Sequence, residues 1–367
     1  MEAGHKDVVG AREVCFACAR TPAGGRDRTH LRILIDIVHP ADVLFFARPI
    51  AFWQERGDEL LVLSRHKDVT CDLLDEFGIA HTPVTTASKG LIGLGSELLR
   101  RSYATLGAAR SFRPDVMVGF GGVSISHAGK LLGIPALSFY DTENATLQAK
   151  VTWPFITHVF VPERYSAPLP EGRHTKWPGA KELSYLHPAG FTPDRDKAVA
   201  AGFDPSQDNF LVRLVAWNAN HDLGKQGWDE ATLRAVIAQL PGRVHISSEV
   251  PLPADLEPLL YRGKFSEIHH LMGLCRVFVG ESASMAAEAA VLGVPSIYAA
   301  DFKLGYIDEL RDAGLMQQVP VSDLHGAVDR ALRIDPQDLR TRRDAYVATK
   351  VDWAEKIIEA TDRFAKG

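Results

Sequence analysis

The chain has few of the features that mark secreted, membrane-spanning or nucleic-acid-binding proteins. It contains 4 cysteines in 367 residues, too few and too scattered for a disulfide framework, so a reducing cytoplasm fits best. No apolar run reaches the roughly 18 residues that cross a bilayer, and no signal-peptide core is recognisable. The net charge of -5 provides no broad basic field. We therefore expect a cytoplasmic protein that does not bind nucleic acid, although a peripheral contact with the inner membrane face remains open.

The single short cysteine motif lacks the partners of a metal or redox site. Cys15 and Cys18 have the spacing of a zinc or redox pair, but no second pair, histidine cluster or preceding strand completes it. We interpret the motif as incidental. The sequence predicts neither a metal ion nor a bound cofactor.

The length and the apolar pattern predict two α/β domains. At 367 residues the chain exceeds the size at which a single core stops growing. Near-continuous apolar strands alternate with helical stretches in both halves, which predicts two Rossmann-like, doubly wound parallel sheets facing a cleft. The boundary is expected in the stretch 165–205, which is rich in proline, glycine and charge. The predicted strands are 31–37, 59–64, 115–119, 136–140, 209–215, 243–247, 277–279 and 296–298.

These patterns divide the chain into four parts. Charge, glycine and few periodic apolar positions predict a disordered extension at the start. An amphipathic pattern predicts a final helix that packs back on the domain junction. The four parts are residues 1–30 (extension), 31–190 (N-terminal domain), 205–350 (C-terminal domain) and 351–367 (final helix).

A strand, a small-residue loop and a helix follow one another in the second half. The strand Val277–Val279 leads to a glycine, after which Ser282, Ala283 and Ser284 open a helix that the serines are suited to cap. Exposed N–H groups and partial positive charge at a helix start suit a phosphate or pyrophosphate. A purely structural turn is the alternative, because similar loops occur in most α/β domains.

Glu288 lies one helical turn further along, among four alanines. Burying a carboxylate there is costly without a partner, and a ligand is one such partner. A carboxylate at this position is suited to accept hydrogen bonds from the two hydroxyls of a ribose. A glutamate that faces solvent is the alternative.

A second polar cluster follows the first strand of the C-terminal half. The segment Trp217–Asp222 includes Asn218 and His221 and combines groups that can stack on or hydrogen-bond to a sugar or diphosphate. Local turns made by its Asn and Asp side chains are the alternative. Arg213, just before this segment, is a candidate phosphate partner if it points out of the sheet.

In the N-terminal half, His39 stands at the end of the first predicted strand, three residues after Asp36 and three before Asp42. An imidazole there can accept a proton from a reacting hydroxyl, and a carboxylate can orient it. A turn or surface histidine is the alternative, and Asp42 is equally suited to cap the next helix.

Two other loops of this half carry candidate groups. Gly119–Ser126 offers backbone amides at a helix start, a second candidate anion site. Asp141 and Glu143 follow a strand and are further acid or base candidates, with capping of the next helix as the alternative. All these loops follow the carboxyl ends of strands, where ligands bind in open parallel sheets.

Three motifs resemble the GT-B superfamily, which includes nucleotide-sugar glycosyltransferases and non-hydrolysing UDP-N-acetylglucosamine 2-epimerases. They are Ile35–Phe46, Trp217–Asp222 and Gly280–Pro295, and the resemblance covers about residues 31–367. It is nearest to a poorly characterised group of surface-carbohydrate proteins. The resemblance implies two facing Rossmann-like domains, with the nucleotide sugar on the C-terminal one.

The resemblance also implies roles for individual residues. In the branch that transfers N-acetylglucosamine to a lipid-linked acceptor, the small-residue loop contacts the nucleotide and a glutamate holds its ribose. These roles correspond here to Ser282–Ser284 and to Glu288. Gly280 and Glu281 stand where many relatives have a Gly-Gly run. Inverting GT-B enzymes often place their base on an N-domain loop, which corresponds to His39.

The activity that the resemblance implies is metal-independent transfer of a sugar from a nucleotide diphosphate sugar. We expect this donor to be a UDP-sugar. The acceptor would be a hydroxyl on a glycan, a lipid-linked or a small molecule. A 2-epimerase in which Asp141 and Glu143 move the proton is the first alternative. A nucleotide-sugar-binding protein without catalysis is the second.

Overall fold

The structure is a computed structural model that describes residues 30–66, 69–86, 90–216 and 227–365. Several predictions from the sequence fall outside these ranges. They concern the extension at residues 1–30, apart from its last residue, the Cys15 and Cys18 motif, and the two candidate ligand-binding residues Asn218 and His221.

The described residues form two parallel sheets. The strands are β1 (Arg32–Asp36), β2 (Glu59–His66), β3 (Thr82–Thr86), β4 (Val116–Phe120), β5 (Ala136–Phe139), β6 (His158–Pro162), β7 (His174–Trp177), β8 (Asn209–Leu214), β9 (Arg243–Ser248), β10 (Val277–Gly280), β11 (Ser296–Tyr298) and β12 (Met316–Gln318). The first sheet has the order β3-β2-β1-β4-β5-β6-β7 and the second β12-β11-β10-β8-β9. Every pair of neighbouring strands is parallel. The predicted class, an α/β protein with two doubly wound parallel sheets, is confirmed.

Helices cover both sheets. They are α1 (Pro40–Arg56), α2 (Thr70–Glu76), α3 (Gly90–Phe112), α4 (Val123–Leu132), α5 (Thr146–Thr152), α6 (Arg195–Ala200), α7 (Glu230–Gln239), α8 (Ile268–Met272), α9 (Ala283–Val291), α10 (Gly305–Asp312), α11 (Leu324–Arg333), α12 (Pro336–Val347) and α13 (Trp353–Ala365). On the first sheet, α1 and α2 pack side by side, and α3, α4 and α5 form a second layer. Right-handed crossovers in opposite directions place these two layers on opposite faces.

The first strand and helix show why the chain folds as the sequence suggests. In β1, Ile33, Leu34 and Ile35 are fully buried, as expected for the centre of a sheet covered on both faces. The helix α1 then begins at a proline, whose missing N–H costs nothing at that position. It ends at Gly57, whose φ of 85° is in the left-handed region that glycine adopts easily.

Four strands were not predicted from the sequence, and three of them lie at sheet edges. β3 and β7 contain mainly half-buried or exposed positions, and β12 has three residues, so none shows a long apolar run. β7 lies within the stretch 165–205 in which the domain boundary was expected. The fourth strand, β6, has an apolar centre of three residues, as β10 has, but no glycine and no helix-capping serines follow it.

The last helix returns to the first domain. Trp353 is fully buried, with its ring centroid 6.1 Å from that of Phe45 in α1. Arg48 in α1 makes two hydrogen bonds of 2.9 and 2.8 Å to the carboxylate of Asp352. The chain therefore crosses from the first sheet to the second and back, and buried apolar residues of both domains join in one cluster.

In each sheet the strand order reverses at one point, between β1 and β4 and between β8 and β10. Ligands of open α/β sheets bind beyond the carboxyl ends of the strands at such points. Between the sheets the chain makes a 3-10 turn at Lys181–Ser184, which we call the linker turn. These three places define the candidate site.

Candidate active site

The predicted phosphate loop forms a capped helix start. The hydroxyl of Ser282 accepts a hydrogen bond of 3.3 Å from the N–H of Met285, and α9 begins at Ala283. Ser284 points towards the other domain, since Lys181 Nζ donates to its hydroxyl at 3.3 Å. The loop therefore meets a lysine 103 residues earlier in the chain. Its role as a phosphate site remains a prediction.

Lys181, which the sequence analysis missed, joins the two domains at this point. Its Nζ lies 2.7 Å from a carboxylate oxygen of Asp141, at the end of β5, and 2.7 Å from Glu182 Oε1. The ring centroid of Tyr306, in α10, lies 5.1 Å from the same Nζ. Burial alone would lower the pKa of Lys181, but the charges of the two carboxylates raise it well above its usual value. Lys181 is therefore a buried ammonium ion beside the start of α9.

Glu182 supplies the carboxylate of the linker turn. Its side chain is fully buried, and its Oε2 has no hydrogen-bond partner among the described residues. Burial raises the pKa of Glu182 to about 7, although the charge of Lys181 opposes this. Near neutral pH Glu182 is thus partly protonated and can gain or lose a proton.

The pKa of Glu182 predicts that Glu182→Gln gains stability relative to the wild type as the pH rises. Because the folded-state pKa of about 7 exceeds the usual value of 4.5, the folded wild type loses stability between those pH values. Glutamine does not titrate. The free energy of unfolding of the variant minus that of the wild type should therefore increase from pH 5 to pH 8, by at most about 1.4 kcal/mol per pH unit. Urea unfolding at four pH values measures it. Glu171→Gln, at an exposed position, is the control for the loss of a glutamate as such, and a constant difference for Glu182→Gln would contradict the assigned pKa.

Glu288 is buried, and protein groups surround its carboxylate. The hydroxyl of Tyr185 donates to Oε1 at 2.7 Å, and His269 Nε2 lies 3.1 Å from Oε2. Burial would raise the pKa of Glu288, but the imidazole and the tyrosine hydroxyl lower it. The solvent-facing alternative is wrong, since Glu288 is 4% exposed. The partners that its burial requires are present without a ligand, so a ribose contact would have to replace one of them.

His39 and Asp42 cap the start of α1. Nδ1 of His39 accepts a hydrogen bond of 3.2 Å from the N–H of Ala41, while the Asp42 carboxylate accepts from the N–H groups of Val38 and His39 at 2.9 and 3.0 Å. This reciprocal arrangement is a capping box. The capping alternative is thus realised, with His39 rather than Asp42 as the N-cap residue. Their catalytic roles remain predictions, and both would have to act from these positions.

Asp36, expected near His39 as its orienting group, points into the first domain. Its carboxylate makes an ion pair with Arg101 and accepts a hydrogen bond from the Ser124 hydroxyl. All three residues are at least 95% buried, and Arg101 Nε has no hydrogen-bond partner in the described part of the chain. Ser124 belongs to the predicted loop Gly119–Ser126, so this loop supplies a side chain to the cluster.

The Asp36 and Arg101 pair lies in the wall of a cavity of about 690 Å³. The cavity is at the reversal point of the first sheet, where ligands are expected. The ion pair of Arg65 and Glu97 adds polar groups, as do the uncharged side chains of Ser124, Asn144, Thr146 and Gln148, while the rest of the wall is apolar. The apolar lining includes Val38, Leu98, Phe120, Val123, Leu147 and Val151. An amphipathic ligand with one polar end matches this lining.

Asp141 and Glu143 both lie where the domains meet. Asp141 pairs with Lys181, and Glu143 Oε1 accepts a hydrogen bond of 2.9 Å from the N–H of Gly305, at the start of α10. Burial raises the pKa of Glu143. Neither residue is the N-cap of the following helix, because Ala145 occupies that position in α5 and the helix start has no side-chain cap hydrogen bond.

Arg213 is engaged within the second sheet. Its guanidinium donates to the Ser247 hydroxyl at 2.8 Å and makes an ion pair with Glu249. A phosphate contact, as predicted from the sequence, would have to compete with Glu249. Glu281, which departs from the Gly-Gly pattern, accepts hydrogen bonds from Val215 N and Trp228 N at 3.2 and 2.8 Å. Glu281 therefore links the end of β8 to the residues just before α7.

The comparisons with known proteins agree with this architecture. The first domain matches, over residues 31–167, the profile of a family described as a protein of unknown function, DUF354. No curated protein sequence matches the chain. Among solved structures, a UDP-GlcNAc 2-epimerase from Neisseria meningitidis bound to UDP-GlcNAc is similar, with 14% identity and a TM-score of 0.63 over 90% of this chain and 99% of that chain.

Two transferases are similar to the same degree. The spinosyn forosaminyltransferase SpnP has 14% identity and a TM-score of 0.62 over 92% of this chain and 100% of its own. The glycotransferase of kitacinnamycin has 14% identity and a TM-score of 0.60 over 92% of this chain and 99% of its own. The protein has the GT-B fold, as the sequence motifs suggested. At this level of identity the likeness establishes the fold alone.

Proposed function

We propose that the protein is a glycosyltransferase that takes a sugar from a nucleotide diphosphate sugar, UDP-linked by expectation, and passes it to a hydroxyl acceptor. The observation that carries the proposal is the contact between Lys181 and Ser284. It combines a helix start with a buried ammonium ion, the two groups that stabilise the charge of a departing diphosphate. With these groups present, no step of the proposed transfer calls for a metal ion.

The donor would lie along α9 and the acceptor would enter the cavity of the first domain. The diphosphate at the start of α9 would take the place of Asp141 or Glu182 beside Lys181, and a protonated Glu182 would lessen the repulsion. The ribose hydroxyls would replace Tyr185 or His269 as hydrogen-bond partners of the Glu288 carboxylate. His39 remains the proposed base, because α1 begins at the same edge of the sheet as the cavity.

A ligand panel tests this proposal. UDP, GDP, TDP, ADP and CMP, each with its sugars, are compared by thermal shift, and we expect the UDP compounds to raise the melting temperature most. Glu288→Ala should remove the shift. His39→Ala should keep the shift and lose transfer, whereas retained turnover would eliminate His39 as the base. A panel without any shift would contradict the proposal.

The epimerase alternative is favoured by one observation. Asp141 and Glu143 lie together at the domain junction, and the pKa of Glu143 is raised. A raised pKa favours a carboxylate that alternately binds and releases a proton. An epimerase would convert the sugar nucleotide without any acceptor, while a transferase would release free nucleotide diphosphate only with one. Ligand binding without either product would identify a non-catalytic binding protein.

A further inference from the structure

The outer side of the layer α3–α5 carries a concentration of exposed apolar side chains. In the described part of the chain eleven large apolar side chains are exposed, and five of them lie on or directly after these helices. Leu99, Tyr103, Leu131 and Leu147 are 65–76% exposed, and Phe155 is 41% exposed. We call these five residues the apolar face. A helix layer that exposes several large apolar side chains is a candidate interaction surface.

The charges around the apolar face have one sign. Arg100, Arg110, Lys130 and Lys150 are exposed on the same three helices. The only acidic residue in the sequences of these helices is Glu97, which is 4% exposed and paired with Arg65. The whole chain has a net charge of -5, so this surface is basic although the protein as a whole is acidic.

The apolar face is continuous with the cavity of the first domain. Leu147 is 70% exposed and also lines the cavity, together with Leu98 one residue before Leu99. Leu147 therefore places the apolar face at the rim of the cavity that contains the ion pair of Asp36 and Arg101. Asp36 and Arg101, which line the cavity as an ion pair, are charged groups that the polar end of an amphipathic molecule would meet.

We infer that the apolar face docks on an anionic lipid bilayer and that the cavity receives an amphipathic, lipid-borne molecule from it. The inference rests on the proposed function only in naming that molecule the acceptor. Exposed leucines beside lysines and arginines are the composition of surfaces that lie in the membrane interface. Anionic headgroups complement the four basic residues.

Two other partners fit the surface less well. A nucleic acid would match the basic side chains but offers nothing to three exposed leucines. A second copy of the chain, packed symmetrically on the same face, would bring like charges together. No helix in the described residues is long and apolar enough to cross a membrane. The contact that we infer is one of docking on the surface.

Vesicle co-sedimentation of the full-length protein tests the inference. Vesicles of phosphatidylcholine alone are compared with vesicles containing about one third phosphatidylglycerol. We expect binding to the anionic vesicles, weakened by high salt because the headgroup attraction is screened. The triple variant Leu99→Ser, Leu131→Ser, Leu147→Ser should reduce the partition coefficient at least tenfold.

A matched control removes exposed apolar side chains elsewhere. Phe77→Ser with Val199→Ser, at positions 39% and 45% exposed outside this layer, should bind vesicles as the wild type does. The inference is overturned if the wild type ignores anionic vesicles or if both variants bind equally. It is also overturned if the triple variant instead loses a dimer or RNA binding. Thermal shifts with UDP on the same proteins report donor binding separately, so loss of docking and failure of the transferase proposal are distinguishable.

Discussion

The double variant Lys181→Met, Glu182→Gln is expected to bind UDP roughly 10- to 150-fold more weakly than the protein with Glu182→Gln alone. A hydrogen bond to a charged group contributes about 1.5–3 kcal/mol, and about 1.4 kcal/mol corresponds to a factor of ten in Kd. Lys181 is the buried cation beside Ser284 in the described structure, so the loss should fall on the diphosphate. Isothermal titration calorimetry measures the affinity.

The second substitution lessens the destabilisation, because it removes one of the two buried carboxylates that would lose their counter-charge and leaves only Asp141 unpaired. Lys181→Met alone would leave Asp141 and Glu182 buried without their counter-charge, which destabilises a protein strongly. Glu182→Gln alone serves as the reference for the double variant. Lys176→Met is a matched control, since Lys176 donates to the backbone carbonyl of Tyr165 within the first domain. Equal loss of affinity in this control, or none in the double variant, would contradict the role of Lys181.

Arg101→Leu is expected to lower the free energy of unfolding by about 3–5 kcal/mol, because it leaves the Asp36 carboxylate, which is 2% exposed, without its cation. The same guanidinium also donates to the carbonyl of Ser64 and the hydroxyl of Thr85, both at 3.2 Å, and so links β1, β2 and β3. Urea unfolding measures the change.

Two variants show whether the buried charge causes this loss. Arg100→Leu, at the neighbouring exposed position, should change stability by less than about 0.5 kcal/mol. Adding Asp36→Asn to Arg101→Leu should restore part of the loss, since the uncompensated charge disappears. If the double variant is no more stable than Arg101→Leu, the packing of the arginine stem rather than the ion pair stabilises the cavity wall.

The sequence predicted the elements whose local pattern is strong. β1, β10 and the helix that begins at Ala283 combine buried apolar runs with cap residues, and each lies where it was predicted. The edge strands β3, β7 and β12 were missed, because their pairing partners are distant in the chain and their own residues show little apolar pattern. Such strands are defined by the sheet that they join.

The contacts of the candidate site were harder to predict, for a related reason. Ser284 and Glu288 were proposed from their place at a helix start, but Lys181, which contacts Ser284, lies in a stretch that was interpreted as a domain boundary. Two of its other partners, Asp141 and Tyr306, are distant in sequence and meet it only when the two domains fold together. Arg101 was likewise missed, because an arginine in a helix is usually at the surface. A lysine followed by a glutamate in a glycine-rich linker was the one available signal.

The most direct test of the account is a crystal structure of the protein with UDP. We expect the diphosphate within hydrogen-bonding distance of the backbone amides around Ser284 and of Lys181 Nζ, with the ribose hydroxyls at Glu288 in place of Tyr185 or His269. A nucleotide bound elsewhere, with Lys181 still held by Asp141 and Glu182, would contradict it.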